Sequence, residues 1–125
     1  MMTAKVMQIS KSSEFMRKEK AISDMILKLG ITPNMLGYRY LILAVELIPE
    51  KAYLPVTKEL YPEIARVCGY DVSASDTVER AIRHAINVSW NRDSDKFKDL
   101  GFEKRRPTNS EIIFLLREKY RFLEL

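Results

Sequence analysis

Residues 78–92 carry the side chains of this sequence that are best suited to recognising another molecule. At about 3.6 residues per turn, one side of the segment is apolar, and the other carries basic and amide groups: Arg80, Arg83, His84, Asn87 and Asn91. A solvated helix face normally mixes Lys with Glu, because opposite charges one turn apart support the helix. Guanidinium groups instead fit guanine bidentately, and amides can bind adenine. The segment therefore predicts a helix that contacts base edges of DNA, with an ordinary solvated face as the alternative.

Glu79 lies at the margin of this face and has two interpretations. Its carboxylate could accept a hydrogen bond from cytosine N4. Alternatively, Asp76 and Glu79 have the spacing of a capping box, in which Asp76 precedes the helix and Glu79 bonds back to it. With that cap, the recognition helix is predicted over 77–91. On spacing alone, both roles of Glu79 stay open.

The residue types needed for catalysis are sparse. One His, one Cys and four scattered glycines form no metal-ligand cluster, phosphate loop or nucleophile–base pair in the sequence. Cys68 has no second cysteine for an intrachain disulfide, which suits a reducing compartment, and we expect it to be a small buried hydrophobe. We therefore expect no enzyme activity, no cofactor and no metal site.

Composition indicates one globular domain. The chain has 125 residues, 46% of them hydrophobic and 30% charged, and a net charge of +4, which permits a polyanionic partner without requiring one. Residues 57–92 hold five basic and five acidic side chains, so a DNA-binding surface there needs the two signs to be segregated. The longest apolar run, Tyr40–Ile48, contains Glu46 and is too short to span a bilayer. We expect a cytoplasmic protein without a membrane partner.

The remaining pattern predicts helices that would position this face. Residues 1–12 are expected to be a flexible arm or linker remnant, followed by one domain over 13–125, with a first helix that ends at Gly30. Thr32 as N-cap and Pro33 at the first helical position predict a second helix over 33–48 that ends before Pro49. Because it is apolar on almost every side, this helix should be the most buried one.

Later segments complete an all-α prediction of about six helices. Val56–Val67 is helical in pattern, but Pro62 requires either a kink or a new helix that starts there. Ser94–Leu100 fits a short helix ended by Gly101, and Thr108 with Glu111 fits a capping box for the last helix. A helix, a polar turn and a helix with a basic outer face make a helix-turn-helix. Phosphate contacts are then expected from Ser75, Asn87, Arg92, Arg105 and Arg106.

The sequence also resembles a known family. The motif Val78–Ile86, the downstream Trp90 and Arg92, and the block Pro107–Glu111 are similar to the C-terminal effector domain of the stage-zero sporulation response regulators of endospore-forming Firmicutes. The resemblance runs from about residue 25 to residue 120 and includes Gly37-Tyr38 and Leu60-Tyr61-Pro62 in the same order.

The resemblance implies a compact six-helix domain that binds a short DNA box and regulates promoters beside RNA polymerase. It implies base contacts from Glu79, Arg80, Arg83 and His84. It also implies that the helix opening at Thr108 mediates contacts between neighbouring copies on DNA. Self-association on tandem boxes through 108–124 is therefore expected. An apolar stripe made by Ile112, Leu116, Tyr120 and Leu123 could supply the contacts, although packing on the domain core is the commoner use of such a stripe.

Three departures from the family bear on function. The turn Cys68–Asp76 is longer than usual, which would tilt the recognition helix. The segment between Arg92 and Pro107 is shorter, and in the family this region is implicated in contacting the polymerase sigma subunit. No phosphoacceptor aspartate in an α/β context precedes Ser13, so we expect no receiver domain and constitutive, modest DNA binding.

A protein-interaction module is the main rival to DNA binding. The balanced charge of residues 57–92 and the altered connections would fit a degenerate helix-turn-helix that binds a sigma factor or another regulator. Salt dependence separates the two, because phosphate contacts weaken steeply as salt rises and an apolar interface does not.

Overall fold

Helices make up 78% of the structure, which confirms the all-α prediction. The computed structural model describes residues 17–48 and 56–124, with no strand in those ranges. The predicted arm at 1–12, Ser13 and Pro49 lie outside them. The α-helices are α1 at 17–28, α2 at Leu36–Leu47, α3 at Tyr61–Val67, α4 at Ser75–Arg92 and α5 at Asn109–Glu124. A longer 3-10 helix, Ser94–Leu100, lies between α4 and α5.

Helix α2 is the centre of the domain, as its apolar sequence predicts. Half of its twelve residues are buried, and it packs against α3, α4 and α5. The rest of the core comes from the facing sides of the other helices, including Ile22 and Ile26 of α1 and Ile64 of α3. The prediction that this helix is the most buried one is confirmed.

The predicted start of α2 is wrong by three residues. Thr32 does not cap it; the N-cap is Met35, which makes no side-chain cap hydrogen bond. The Thr32 hydroxyl donates to the side-chain oxygen of Asn34, and the Met35 amide donates to the Thr32 carbonyl at 3.0 Å. The Thr32 hydroxyl thus bonds inside a local turn, which competes with its use as a helix cap.

Gly37 allows α2 to cross α4 at very short range. A Cβ atom on Gly37 would lie 2.4 Å from the Ala81 carbonyl oxygen and 2.8 Å from the Ala85 Cβ. Both distances are below van der Waals contact, so only glycine fits without moving a helix. This crossing fixes the position of α4 against the central helix.

Pro62 lies in the first turn of α3, which begins at Tyr61. Leu60 before it already has helical φ and ψ, so the helical backbone continues across this point and only its hydrogen-bond pattern changes. A π-helical turn, Val56–Leu60, precedes α3. Proline is tolerated there because the first-turn amides have no partner inside the helix.

The connection from α3 to α4 is a sequence of two ordered turns. At the end of α3, the Gly69 amide donates to the Arg66 carbonyl at 3.0 Å and the Tyr70 amide donates to the Ala65 carbonyl at 2.8 Å. This is a Schellman motif, and Gly69 has the positive φ of 82° that it requires. The Asp71 carboxylate then accepts from the Ser73 amide at 3.2 Å and caps a 3-10 turn, Val72–Ala74, that leads directly into α4.

This arrangement corrects the predicted cap of the recognition helix. The helix begins at Ser75, not at residue 77, and Asp76 lies inside its first turn. The N-cap position is Ala74, which makes no side-chain cap hydrogen bond, so Asp76 and Glu79 do not form a capping box. The physical reason is that the 3-10 turn continues into the helix and its capping carboxylate, Asp71, lies upstream of that turn.

The cap of the last helix is as predicted. The Glu111 amide donates to the Thr108 hydroxyl at 3.2 Å, and the Thr108 amide donates to the Glu111 carboxylate at 3.0 Å. Both halves of a capping box are therefore present at the start of α5. The segment before it also matches the prediction in extent, since Ser94–Leu100 is helical and Gly101 ends it with φ of 89°.

Candidate nucleic-acid interface

The outward side of α4 is open to solvent, as the sequence predicts. Arg80, Arg83 and His84 are exposed, and Asn87 is half-buried. Together with Arg106 they line a shallow depression on the surface. The other side of the helix is buried through Val78, Ile82, Ala85, Ile86 and Ser89. Amphipathic spacing therefore orients the basic groups away from the core.

Arg80 and Arg83 differ in their electrostatic surroundings. The Arg83 guanidinium lies 3.6 Å from the Glu79 carboxylate, one turn earlier on the helix. Both side chains stay accessible, with 50% of Arg83 and 30% of Glu79 exposed. Within the described residues, no carboxylate lies within ion-pair distance of Arg80. Arg80 is therefore the basic group of this face that is most available to an incoming anion or base edge.

Glu79 does not cap α4, and its carboxylate is not free. Its side chain is paired with Arg83, and its backbone carbonyl accepts a hydrogen bond from the Asn109 amide group at 3.1 Å. The capping interpretation of Glu79 is therefore wrong. Its interpretation as a base-contacting side chain stays a prediction, and the carboxylate lies beside Arg83 on the outer face.

Arg106 approaches α4 from the loop before α5. Its guanidinium donates to the side-chain oxygen of Asn87. Pro107, the next residue, is buried. Two of the predicted phosphate-contacting residues are therefore held together at one edge of the basic face.

Arg105 points to a different partner. Its two terminal nitrogens donate to the two carboxylate oxygens of Glu111 at 2.8 and 2.9 Å, and the guanidinium lies 6.0 Å from the Phe102 ring centre. The hydrogen bonds from Arg105 and from the Thr108 amide lower the pKa of Glu111 to about 2. The structure thus places Arg106, and not Arg105, beside α4.

Ser75 and Arg92 mark the two ends of α4. The Ser75 hydroxyl donates to the Val72 carbonyl at 2.6 Å, while Arg92 is exposed in the last turn. At about 1.5 Å per residue, the two positions are roughly 25 Å apart along the helix. They flank the basic face on either side.

Asn109 positions α4 and was missed by the sequence reasoning. Its side-chain amide donates to the Tyr61 hydroxyl and to the Glu79 carbonyl, both at 3.1 Å. One side chain thereby joins α3, α4 and α5. Burial raises the pKa of Tyr61, while the hydrogen bond with Asn109 acts in the opposite direction. Asn109 belongs to the block Pro107–Glu111, which signalled only a helix start, because nothing local indicates a partner 30 residues away.

The apolar stripe of α5 is used inside the domain. Ile112, Leu116 and Tyr120 are at most 3% exposed and belong to the core. The Leu123 side chain lies outside the described residues. Of the two uses expected for this stripe, packing on the domain core is therefore the one found for its three described members, because α5 packs on α2 and α4.

The described residues hold neither a metal-ligand cluster nor a membrane-spanning helix. Among residues 17–48 and 56–124, no group of three or more His, Cys, Asp or Glu side chains could hold a metal ion. Nor is any helix in these ranges both long and apolar enough to cross a membrane.

A comparison with protein families agrees with this architecture. The family model described as the sporulation initiation factor Spo0A C terminal matches residues 22–120, which include all of α2, α3 and α4. The match therefore covers the crossing at Gly37, the two ordered turns and the complete basic face. Matched over most of its length by that model, the chain belongs to the Spo0A C-terminal domain family.

Proposed function

We propose that this domain binds double-stranded DNA sequence-specifically, with α4 in the major groove, and thereby regulates transcription. The observation that carries the proposal is the exposed basic face of one continuous helix, formed by Arg80, Arg83 and His84. The family supports a DNA-binding domain of a sporulation transcription factor. An α-helix with such a face fits the width of the major groove of B-DNA.

The base contacts are assigned by availability. Arg80 lies in the N-terminal half of α4 without an ion-pair partner in the described chain, so its guanidinium can bind guanine O6 and N7. Arg83 and Glu79 present a donor and an acceptor side by side, which suits neighbouring guanine and cytosine edges. His84 adds one further polar contact on the same face.

Phosphate contacts follow from the positions around this face. Arg106 and Asn87 lie at one edge, and Arg92 and Ser75 lie at the two ends of α4. Arg105 can contribute only while it also satisfies Glu111, so we rank it behind Arg106. Such contacts fix the orientation of the helix in the groove without specifying sequence. The proposal entails a cytoplasmic location, since bacterial DNA lies there.

The test begins with selection of bound sequences from random duplexes. On the selected box, Arg80→Ala should weaken binding by about 1–3 kcal/mol and relax discrimination at one G·C position. Arg121→Ala is the matched control, because Arg121 is an exposed arginine of α5 that pairs only loosely with Glu118, at 3.8 Å. Fluorescence anisotropy measures both. Equal affinity of Arg80→Ala and the unsubstituted domain on every duplex would contradict the proposal.

A protein-interaction module is the second candidate, and exposed apolar side chains favour it. Val67, Tyr70 and Val72 surround the turn between α3 and α4 and are 50–57% exposed. A sigma factor or another regulator could cover them. Binding to such a partner would change little with salt, whereas DNA binding would fall steeply.

Pairing of copies on tandem boxes is a further part of the proposal. Because the stripe of α5 is buried, the exposed side of that helix, which includes Glu118 and Lys119, would have to supply the contacts. Titrations on single and tandem boxes test it, since contacts between adjacent copies raise the affinity per box. Equal affinity per box at every spacing would exclude pairing.

A further inference from the structure

A groove of about 370 Å³ lies between α1, the 3-10 helix Ser94–Leu100 and α5. None of the residues that line it belongs to α4 or to the loop that carries Arg106. It is therefore separate from the proposed DNA-binding face, and the inference drawn from it does not rest on DNA binding.

The floor of the groove is apolar. Leu29 and Leu116 are buried core residues that contribute to it, at 4% and 1% exposure. Met25 and Leu100 are half-buried and pack against the same core. A ligand seated here would remove partly exposed apolar surface from water, which favours an occupant with an apolar body.

The rim of the groove is cationic. Lys28, Lys96 and Lys119 come from three different elements, and all three are exposed. No carboxylate of the described residues lies within ion-pair distance of any of them. Asp99 is the one acidic lining residue, so the lining carries three positive charges and one negative charge.

Lys98, close to the groove, differs from the three groove lysines because it has an ion-pair partner. Lys98 lies on the same 3-10 helix and pairs with Asp95 at 3.1 Å, as lysines on an ordinary solvated surface commonly do. Lys96, two residues earlier, lies beside Gly30 and faces the groove instead. The three groove lysines are thus a convergent set, not one side of a helix with alternating charges.

We propose that this groove binds a small amphipathic anion, a carboxylate or sulfonate with an aliphatic or aromatic body. The volume falls within the range typical of small-molecule sites, roughly 300–1,000 Å³, and such sites combine apolar walls with a few polar groups. The apolar body would lie on Leu29, Leu100 and Leu116, and the ammonium groups would hold the anionic head. The N-terminal residues 1–16 are a poor occupant because they contain Lys5 and Lys11 against Glu14 alone, so their charge repels the rim.

The probe for the test is decanoate, titrated into the isotopically labelled domain and followed by amide NMR. We expect saturable shifts centred on Leu29, Leu100 and Leu116. The double variant Lys96→Gln/Lys119→Gln should weaken binding by roughly fivefold or more, since each removes a partly exposed charge contact. Lys98→Gln is the matched control and should leave the decanoate affinity unchanged.

Decanol, which has the same chain without the charge, separates the proposed site from non-specific apolar binding. Decanol should bind the unsubstituted domain more weakly than decanoate does. It should bind the double variant as tightly as it binds the unsubstituted domain. Because all substituted lysines are exposed, circular dichroism should show the same fold in each variant. Any one of three results would overturn the proposal. The amide shifts do not saturate, decanol binds as tightly as decanoate, or Lys98→Gln weakens decanoate binding as much as the double substitution does.

Discussion

Glu46, in the last turn of α2, is a carboxyl residue in an unfavourable environment. One of its carboxylate oxygens is buried with no hydrogen-bond partner in the described chain. Burial, with a smaller contribution from Glu19, raises the pKa of Glu46 to about 7, although Arg39 and Lys18 act in the opposite direction. The folded state therefore binds this proton more tightly than the unfolded state. As pH rises from about 4.5 to about 7, this group should lower the free energy of unfolding.

Glu46→Gln should remove that pH dependence. We expect the variant to be more stable than the unsubstituted domain by roughly 1 kcal/mol at about pH 8, after allowance for solvent screening at a half-buried group. Near pH 4.5 the two proteins should be about equally stable, because the carboxyl is then largely neutral. Urea unfolding at both pH values measures the difference. Glu118→Gln, an exposed carboxyl on α5, is the control, and an unchanged pH profile in Glu46→Gln would contradict the expectation.

At the scale of elements, the crossing of α2 and α4 predicts a large effect from a small substitution. Gly37→Ala would place a methyl group 2.4 Å from the Ala81 carbonyl oxygen, so α4 must move. Overpacking of this kind costs about 1–3 kcal/mol, more than the gain in helix propensity from Gly to Ala. We expect lower stability and weaker DNA binding. Thermal unfolding and anisotropy measure these, with Leu36→Ala as a control because Leu36 is 60% exposed on the same helix.

The start of α5 predicts a sensitivity to acid. Glu111 is bonded to Arg105 and to the Thr108 amide, and its pKa is lowered to about 2. A lowered pKa means that its contribution to stability is present above the unfolded value of about 4.5 and is lost as pH falls towards about 2. Glu111→Gln keeps the capping geometry but should show a smaller loss of melting temperature between about pH 5 and pH 3. Asp99→Asn, which removes an exposed carboxylate, is the control and should lose as much melting temperature as the unsubstituted domain. If Glu111→Gln lost as much melting temperature as the unsubstituted domain, the stabilising role of the Glu111 carboxylate would be contradicted.

Local sequence patterns predicted the helices, but they did not predict the contacts between the helices. The exposed positions of Arg80, Arg83 and His84 follow from helical spacing, and the caps at Gly101 and Thr108 follow from residue type. The roles of Gly37 and Asn109 depend on partners that lie 44 and 30 residues away, at Ala81 and Glu79. The start of α4 differs from the predicted one because Asp76 has the residue type of an N-cap, whereas the chain enters α4 through the 3-10 turn that Asp71 caps. The path of the chain through that turn is not visible in the local sequence pattern.

For the whole molecule, salt dependence tests how charge is distributed over the surface. The net charge is only +4, so strong DNA binding must come from the local cluster around α4. Arg92→Ala should weaken binding to all duplexes about equally and lower the slope of log K against log salt by roughly one unit. Anisotropy titrations at several salt concentrations measure the slope. An effect confined to the selected box would instead make Arg92 a base-contacting residue.

The close approach at Gly37 also determines how such a domain can diverge between lineages. The atom that excludes a side chain at position 37 is a backbone oxygen, so no change of side chain elsewhere can compensate for a larger residue there. Arg80 and His84, in contrast, project into solvent and can be exchanged at little cost to folding. Related sequences should therefore keep glycine at position 37 while the outward residues of α4 vary. The DNA sequence that is bound could then change between relatives without a change in helix packing.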